Sequence, residues 1–377
     1  MEIIAWISGI ALLLASLSYA GLIFLFTLGW RKLESHGQKS AGAGPAPRVS
    51  VIVAARNEAG NIANLLNDLA AQDYPAELTE IILVDDNSTD GTSGVIHDYL
   101  SRSILSHFKL ISRRSGDGSK KSALSQAVGS ASGQVILVTD ADCSVKNNWI
   151  SVMAGYFRDP NTMMVAGPVA LAPVSGIVDR FQALEFLGLV ASGAGAAGSG
   201  QPFLCNGACL AYRKKAFEEV GGYSGNEKFR SGDDVFLLHK IKKIYGRRAI
   251  AFALSSSALV RTAPAGGCMA FLRQRARWAS KSTGYKDVLS MLTAVTVFLL
   301  SLTLTGLFLA GFFYPPAFLL YLGLILCKTA VDYPLMREIL EFTGNRGLIK
   351  WLAPFEAVYP FYVVIAGILS VFWRRHW

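Results

Sequence analysis

Residues 134–143, Gln-Val-Ile-Leu-Val-Thr-Asp-Ala-Asp-Cys, carry an apolar run that stops on two aspartates two positions apart, Asp140 and Asp142. A short continuous apolar run bounded by polar residues is the pattern of a strand buried on both faces. In an extended chain residues i and i+2 project to one side. Both carboxylates can therefore converge on one cation, or on one diphosphate–metal complex, just past the strand end. An acid pair in a loop also arises as a helix cap or a solvated turn, so its meaning depends on the rest of the chain.

The same rhythm recurs on the N-terminal side. Val49 to Ala55 reads as a first buried strand; Arg56-Asn57-Glu58 follow it, and Ile62, Leu65, Leu66 and Leu69 then recur at helical spacing. Glu80 to Val84 reads as a second strand, ending in Asp85-Asp86-Asn87-Ser88-Thr89-Asp90-Gly91-Thr92, with a helix carrying Val95, Ile96, Tyr99 and Leu100 behind it. Phe108–Ile111 makes a third strand, Lys121–Ser130 a third helix and Gln134–Val138 a fourth strand. Strands alternating with helices predict an α/β fold. The acidic clusters fall at strand C-terminal ends, where open α/β sheets bind ligands. Beyond Asp142 the pattern loosens: Met163–Leu171 is strand-like, Val178–Leu189 is an amphipathic helix, and the Gly/Ala/Ser run 191–200 reads as a flexible loop.

The chain has 377 residues, 52% of them hydrophobic, and the apolar surplus is localised. Ile3–Gly29 is nearly uncharged and exceeds the roughly 20 residues that cross a bilayer core. A cleaved signal peptide would have a basic start and a shorter apolar run. Further apolar segments cover about 289–312, 314–331 and 352–373. Trp351, Tyr359, Tyr362, Trp373 and Trp377 lie in or beside the last, where aromatic rings favour the headgroup level. The expected organisation is a transmembrane anchor over 1–30, a linker over 31–47 that includes the Gly/Ala/Pro stretch Ala41–Pro47, an α/β domain over 48–286 and a C-terminal membrane domain over 287–377.

The net charge is +9, and Arg31 and Lys32 follow the first span while no basic residue precedes it. The positive-inside tendency then puts the α/β domain in the cytoplasm. Arg273, Arg275, Arg277, Lys281 and Lys286 gather before the second span, where anionic lipid would attract them. With four spans, the basic end Trp373-Arg374-Arg375-His376-Trp377 runs against that tendency. No basic-aromatic motif points to nucleic acid. The five cysteines, at 143, 205, 209, 268 and 327, lack zinc-site spacing. Lys328 and Asp332 stand i,i+4 at the end of the third apolar segment; they are expected to mark a boundary near Arg337 and Glu338, with pairing on one helix face as the alternative.

Three motifs carry chemistry. Asp85 and Asp86 can accept hydrogen bonds from a base or a ribose, while Ser88 or Asp90 caps the next helix. Asp233-Asp234 open a helical pattern. The helix dipole accounts for one acid at that place, and a second suits a base that accepts a hydroxyl proton. Gln274-Arg275-Ala276-Arg277-Trp278 joins an amide, guanidinium groups and an indole ahead of a span, suited either to phosphate and sugar or to anchoring at a membrane interface.

Taken in order, Val-Ile-Val-Ala-Ala-Arg-Asn-Glu (51–58), Val-Asp-Asp-Asn-Ser-Thr-Asp-Gly-Thr (84–92), Lys120, Thr-Asp-Ala-Asp (139–142), Asn-Gly-Ala (206–208), Gly-Asp-Asp (232–234) and Gln-x-x-Arg-Trp (274–278) resemble the membrane-bound family 2 glycosyltransferases across about 45–285. The resemblance implies a GT-A (Rossmann-like) nucleotide-diphosphosugar domain with one N-terminal and about three C-terminal membrane helices. It also implies inverting transfer from a nucleotide diphosphosugar, expected to be a UDP-sugar. By motif match, Ala55, Arg56, Glu58, Asp85, Asp86, Lys120 and Asp140 would bind the nucleotide sugar, and Asp140 and Asp142 would hold Mg²⁺ or Mn²⁺. Asp234 would be the base with Asp233 beside it, and Asn206, Gly207, Gln274, Arg277 and Trp278 would face the diphosphate or acceptor. The family usually has Glu-Asp where this chain has Asp233-Asp234, which puts the role of Asp233 in doubt. The spans imply a lipid or lipid-linked acceptor at a bacterial inner membrane. A processive polysaccharide synthase is the alternative, and a non-catalytic sugar-nucleotide-binding membrane protein a more distant one.

Overall fold

The computed structural model describes residues 2–35, 44–102, 106–113, 119–226, 229, 232–281 and 284–372, with backbone alone for 2–8, 11 and 372. The basic end 373–377 and part of the Ala41–Pro47 linker lie outside the described residues. Helix α1 (Glu2–Ser35) precedes three strand–helix repeats: β1 (Val49–Ala55) with α2 (Ile62–Ala70), β2 (Thr79–Asp86) with α3 (Thr92–Arg102), and β3 (Phe108–Arg113) with α4 (Lys120–Ser130). Next come β4 (Val135–Asp140), α5 (Trp149–Gly155), β5 (Met164–Ala166), β6 (Val169–Leu171) and α6 (Ile177–Gly198). They are followed by β7 (Leu210–Arg213), α7 (Lys214–Glu219), α8 (Asp233–Tyr245), β8 (Ile250–Phe252) and β9 (Val260–Thr262). Helices α9 (Cys268–Ala279), α10 (Val288–Ala310), α11 (Pro315–Phe342) and α12 (Leu352–Phe372) close the chain. Two compact units result: Lys32–Pro173 with Gly200–Ala263, and Met1–Arg31 with Val174–Ser199 and Pro264–Trp377.

The first unit is built on a sheet of order β3-β2-β1-β4-β7-β5-β8. β3, β2, β1 and β4 run parallel, and β7 is antiparallel to both β4 and β5. Val51, Ile52, Ile81, Ile82, Ile136 and Leu137 are fully buried, as the unbroken apolar runs predict for strands covered on both faces. Helix α2 turns Ile62, Leu65, Leu66 and Leu69 inward. Each such side chain contributes about 1.5–3 kcal/mol of burial. At the N-terminal ends of the strands, the Glu80 carboxylate of β2 accepts hydrogen bonds from Ser50 Oγ of β1 (2.6 Å), Ser132 N (2.8 Å) and Lys109 Nζ of β3. One acid thus ties three strands and the turn before β4. A small second sheet pairs β6 with β9 in parallel.

In the second unit, α1 over Leu12–Ser35, α10, α11 and the segment Arg346–Val371 are each long and apolar enough to cross a membrane, at 24, 23, 28 and 26 residues. Of the loop expected over 191–200, residues 191–198 are instead the last turns of α6. Its glycines and alanines serve close packing: a Cβ added at Gly195 would lie 2.1 Å from Phe26 O, and one at Gly29 would lie 1.8 Å from Gly195 O. Only residues without side chains let α1 and α6 approach so closely, as small residues do between membrane helices. Of the two arrangements expected for Lys328 and Asp332, the i,i+4 pairing is the one observed, and both are buried. Lys328 Nζ bonds Asp332 Oδ2 (2.7 Å) and Glu356 Oε2, and Tyr19 OH donates to Asp332 at 2.8 Å. The three acids and bases are thus satisfied among α1, α11 and α12, as ionisable groups on apolar helices must be.

In the sheet unit, the hydrogen bonds at Glu80 hold its carboxyl down to about 2 against the opposing effect of burial. The unfolded chain takes up that proton near the ordinary glutamate value of about 4.3. The stabilisation is therefore complete above about pH 5 and is lost as pH falls from there toward 2. Glu80→Gln is expected to cost roughly 1.5–3 kcal/mol at pH 7 and to flatten the acid limb of stability, read from denaturant melts of the detergent-solubilised protein at stepped pH.

Candidate active site

The parallel register levels the C-terminal strand ends: Ala55 lies opposite Asp85 on one side, and Ala54 opposite Asp140 on the other. The order β2-β1-β4 puts the crossover point of the sheet at β1, where α/β sheets open a crevice. Two asparagines turn the chain there with positive φ, Asn57 and Asn87, both at 58°. Such backbone is uncommon outside glycine, and asparagine tolerates it best. The two turns are stitched together: Asn57 N donates to Ser88 Oγ (3.0 Å), Thr89 N to Asn57 Oδ1 (2.8 Å) and Glu58 N to Thr92 Oγ1 (2.8 Å). Asp90 accepts from Thr92 N (3.1 Å) and Ala59 N (3.1 Å), so Ser88 and Asp90 serve the backbone.

The neighbouring carboxylates divide their work. Asp86 Oδ1 accepts from Arg113 Nη1 at 2.8 Å in a pair only 4% and 7% exposed, and Arg113 Nη2 reaches Ser122 Oγ at 2.8 Å. Asp85 Oδ1 accepts from Ser88 N at 3.3 Å. Ala55 is buried as the last residue of β1, and Arg56 is exposed at the turn.

Asp140 pairs with Lys120 Nζ from the start of α4, and Asp142 Oδ2 accepts from Thr262 Oγ1 of β9 at 2.9 Å. Burial pushes the Glu58 carboxyl up, and the negative charges of Asp142 and Asp140 add to this while a hydrogen bond from Asn61 opposes it. Glu58, Asp140 and Asp142 therefore share one electrostatic neighbourhood. Burial lowers the Lys120 ammonium, yet Asp140 and, more weakly, Asp234 leave it raised overall.

Helix α8 begins at Gly232, in the left-handed region at φ 89°, and carries Asp233 and Asp234 in its first turn. Asp234 Oδ2 accepts from Gly207 N (2.9 Å), and Asn206 Oδ1 accepts from Ala208 N (2.9 Å). Asp233 pairs with Lys121 Nζ at 3.0 Å, and burial holds its carboxyl above the usual range despite that lysine. The adjacent lysines 120 and 121 thus serve Asp140 and Asp233 respectively.

The structure brings Asp85, Lys120, Asp140, Asp142, Asn206, Gly207, Asp233 and Asp234 together in the sheet unit. Gln274, Arg277 and Trp278 stand on α9 of the second unit, with Trp278 6.2 Å from Phe186 of α6. Sequence reasoning missed Thr262, Lys121 and Arg113. Lys121 was marked only by its place beside Lys120, and Thr262 carried no signal, standing 120 positions from its partner.

Residues 50–221 match the family model described as glycosyl transferase family 2. That stretch is under half of the chain and takes in most of the α/β unit, which is similar to that family. A beta-monoglucosyldiacylglycerol synthase of Synechocystis sp. is 35% identical over 117 residues, 31% of this chain and 24% of that protein. An N-acetylglucosaminyltransferase of Rhizobium meliloti is 29% identical over 245 residues, 62% of this chain and 55% of that one. The chain thus spans from about a quarter to about half the length of these two relatives. A solved mannosyltransferase from Pyrobaculum calidifontis, in complex with GDP-Man and Mn²⁺, superposes with a TM-score of 0.63 at 19% identity, covering 93% of this chain and 99% of that one. The family 2 fold expected from the motifs is therefore the fold observed: a GT-A-type α/β sheet, with one apolar helix at the N-terminal end and three at the C-terminal end.

The division between the two β2 acids has a thermodynamic signature. Asp86→Asn weakens the buried charge-assisted hydrogen bond from Arg113 Nη1 and is expected to cost roughly 1.5–3 kcal/mol, whereas Asp85→Asn stays within about 1 kcal/mol of wild type in the same denaturant melts.

Proposed function

We propose that the protein is an inverting glycosyltransferase that moves a sugar from a nucleotide diphosphosugar, a UDP-sugar in our reading, to the hydroxyl of a lipid or lipid-linked acceptor. The observation that carries this reading is the level placement of Asp85 and Asp140 on either side of β1, with Asp142 two residues on and Asp234 held at the Asn206-Gly207 turn. Asp85 suits the base or ribose, and Arg56 and Lys120 suit the anionic diphosphate.

The oxygen donors fit a divalent cation that shares its shell with phosphate. Asp140 and Asp142 offer hard carboxylate ligands at one strand end. Among the described residues no group of three or more His, Cys, Asp or Glu forms a cage of its own. Mg²⁺ sites of one or two carboxylates completed by substrate phosphates have this composition, and Mn²⁺ accepts the same oxygen ligands. A cation bound there would offset charge developing on the departing diphosphate.

The chain's own groups do the rest. Asp234 accepts the proton of the acceptor hydroxyl as its oxygen attacks the anomeric carbon opposite the leaving diphosphate, so that the centre inverts in one step. Gly207 N–H holds Asp234 in orientation through the 2.9 Å hydrogen bond. Asp233, neutralised by Lys121, orients its neighbour. Gln274, Arg277 and Trp278 are assigned to donor and acceptor.

Four helices long enough to span support an acceptor met at the membrane, as does the relative whose name gives a glucosyldiacylglycerol as its product. Arg31 and Lys32 in the last turns of α1 favour a cytoplasmic α/β unit at a bacterial inner membrane. A chain-extending synthase would yield a ladder of products, which electrophoresis of labelled product distinguishes from a single glycolipid.

Release of nucleoside diphosphate from a panel of nucleotide sugars, with total membrane lipid as acceptor, tests the reading; no release from any donor would overturn it. Asp234→Asn is expected to lower kcat by about 10²–10⁴ with donor affinity nearly unchanged. Asp142→Asn is expected to lose turnover by several orders of magnitude, and full activity of that variant in EDTA would remove the cation from the scheme.

A further inference from the structure

Within α9 the residue between the motif positions, Arg275, is the most buried charge of the segment, at 4% exposure. Its Nε and Nη2 both donate to Glu185 Oε2 of α6, at 2.8 and 2.5 Å, and the remaining Glu185 oxygen accepts from Tyr362 OH of α12 at 3.0 Å. Its Nη1 donates to Gln274 Oε1. Its guanidinium plane lies 4.1 Å from the Trp278 ring centre and 4.7 Å from that of Phe271.

A buried ion pair is a poor source of net stability, because desolvation offsets most of the Coulomb attraction. What a guanidinium supplies instead is direction, through five donors in a rigid plane. Arginine cannot accept a hydrogen bond, so the Gln274 atom facing it must be the carbonyl oxygen. The end that Gln274 can present elsewhere is then its Nε2 amide, a donor only.

We infer that Glu185 and Arg275 are positioning residues: they set Gln274 as a hydrogen-bond donor toward an anionic or hydroxyl oxygen of the reactants and hold the Trp278 indole in place. The role of Gln274 and Trp278 in transfer rests on the proposed function. Tyr362 extends the chain of contacts to α12, so the motif is oriented from a membrane helix.

A double-mutant cycle on the full-length protein in detergent tests this. Glu185→Gln removes the charge and keeps the shape. It and Gln274→Ala are each expected to lower kcat about 10- to 100-fold, with donor KM within about twofold, the range seen when a supporting hydrogen bond is lost. Added to a Gln274→Ala, Trp278→Phe background, Glu185→Gln should slow kcat no further, because Glu185 acts through those two side chains; multiplied losses there would overturn the inference. Arg275→Lys keeps the charge but not the fork, and restoration of full kcat by lysine would likewise overturn it.

A second readout needs no turnover. With 5-fluorotryptophan incorporated, the ¹⁹F resonance assigned through Trp278→Phe should move in Glu185→Gln and Arg275→Lys, and less in the milder Tyr362→Phe, which serves if the charge-removing variant does not fold. An unmoved resonance in these variants defeats the positioning role. A wild-type protein inert toward every donor with the resonance still shifting defeats the proposed function instead.

Discussion

Everything chemical in this chain depends on the register of three parallel strands. β1 is paired on both sides so that Ala55 is level with Asp85 and Ala54 with Asp140. A slip of one residue in either pair would turn every side chain of that strand to the opposite face and send the carboxylates apart. The opposite ends of the same strands are held by Glu80, an acid with no reactant to meet, whose partners are Ser50, Ser132 and Lys109. The sheet therefore carries a structural carboxylate at one end of its strands and, at the other, those that the proposed function assigns to the reaction. Burial with fixed donors makes Glu80 a strong acid, while burial beside like charges makes Glu58 a weak one.

In the helical unit, apolar surface facing lipid gives little reason for one helix to prefer another. Selectivity there comes from shape and from polar groups with a single solution. The Gly29–Gly195 approach fixes α1 against α6. The Lys328, Asp332, Glu356 and Tyr19 cluster fixes α1, α11 and α12, and the Glu185–Arg275–Tyr362 cluster fixes α6, α9 and α12. Each polar cluster leaves a costly unpaired group if any one helix is misplaced.

The sequence was legible where structure is local. The four N-terminal strands, the helices between them and the acids at their ends follow from apolar runs and turn residues within a few positions of each other. The wrong reading of 191–200 came from treating glycine, alanine and serine by their loop propensity. There a helix needs them because a neighbouring backbone lies where their side chains would be. The Lys328–Asp332 pair was readable from its i,i+4 spacing, but Glu356 lies 28 positions on, and nothing local announces that it joins them. Thr262 at Asp142 and Glu185 at Arg275 are of the same kind: contacts made by topology, with no pattern in the chain. Asp86 was grouped with Asp85 by adjacency, but adjacent strand residues face opposite ways, and only the placement of Arg113 reveals which acid is spoken for.

The close approach of α1 and α6 has a bearing on how the chain is made. The partner of Gly29 is Gly195, and the intervening residues belong to the sheet unit as far as Pro173. During synthesis α1 is the first segment available to the membrane, and its docking surface emerges only after five strands of the sheet have left the ribosome. At about 5–20 residues per second, that interval is on the order of 10–30 seconds. The sheet unit has time to collapse on its own strands while α1 waits unpartnered, and the helical unit, assembled from three separated stretches, is completed last.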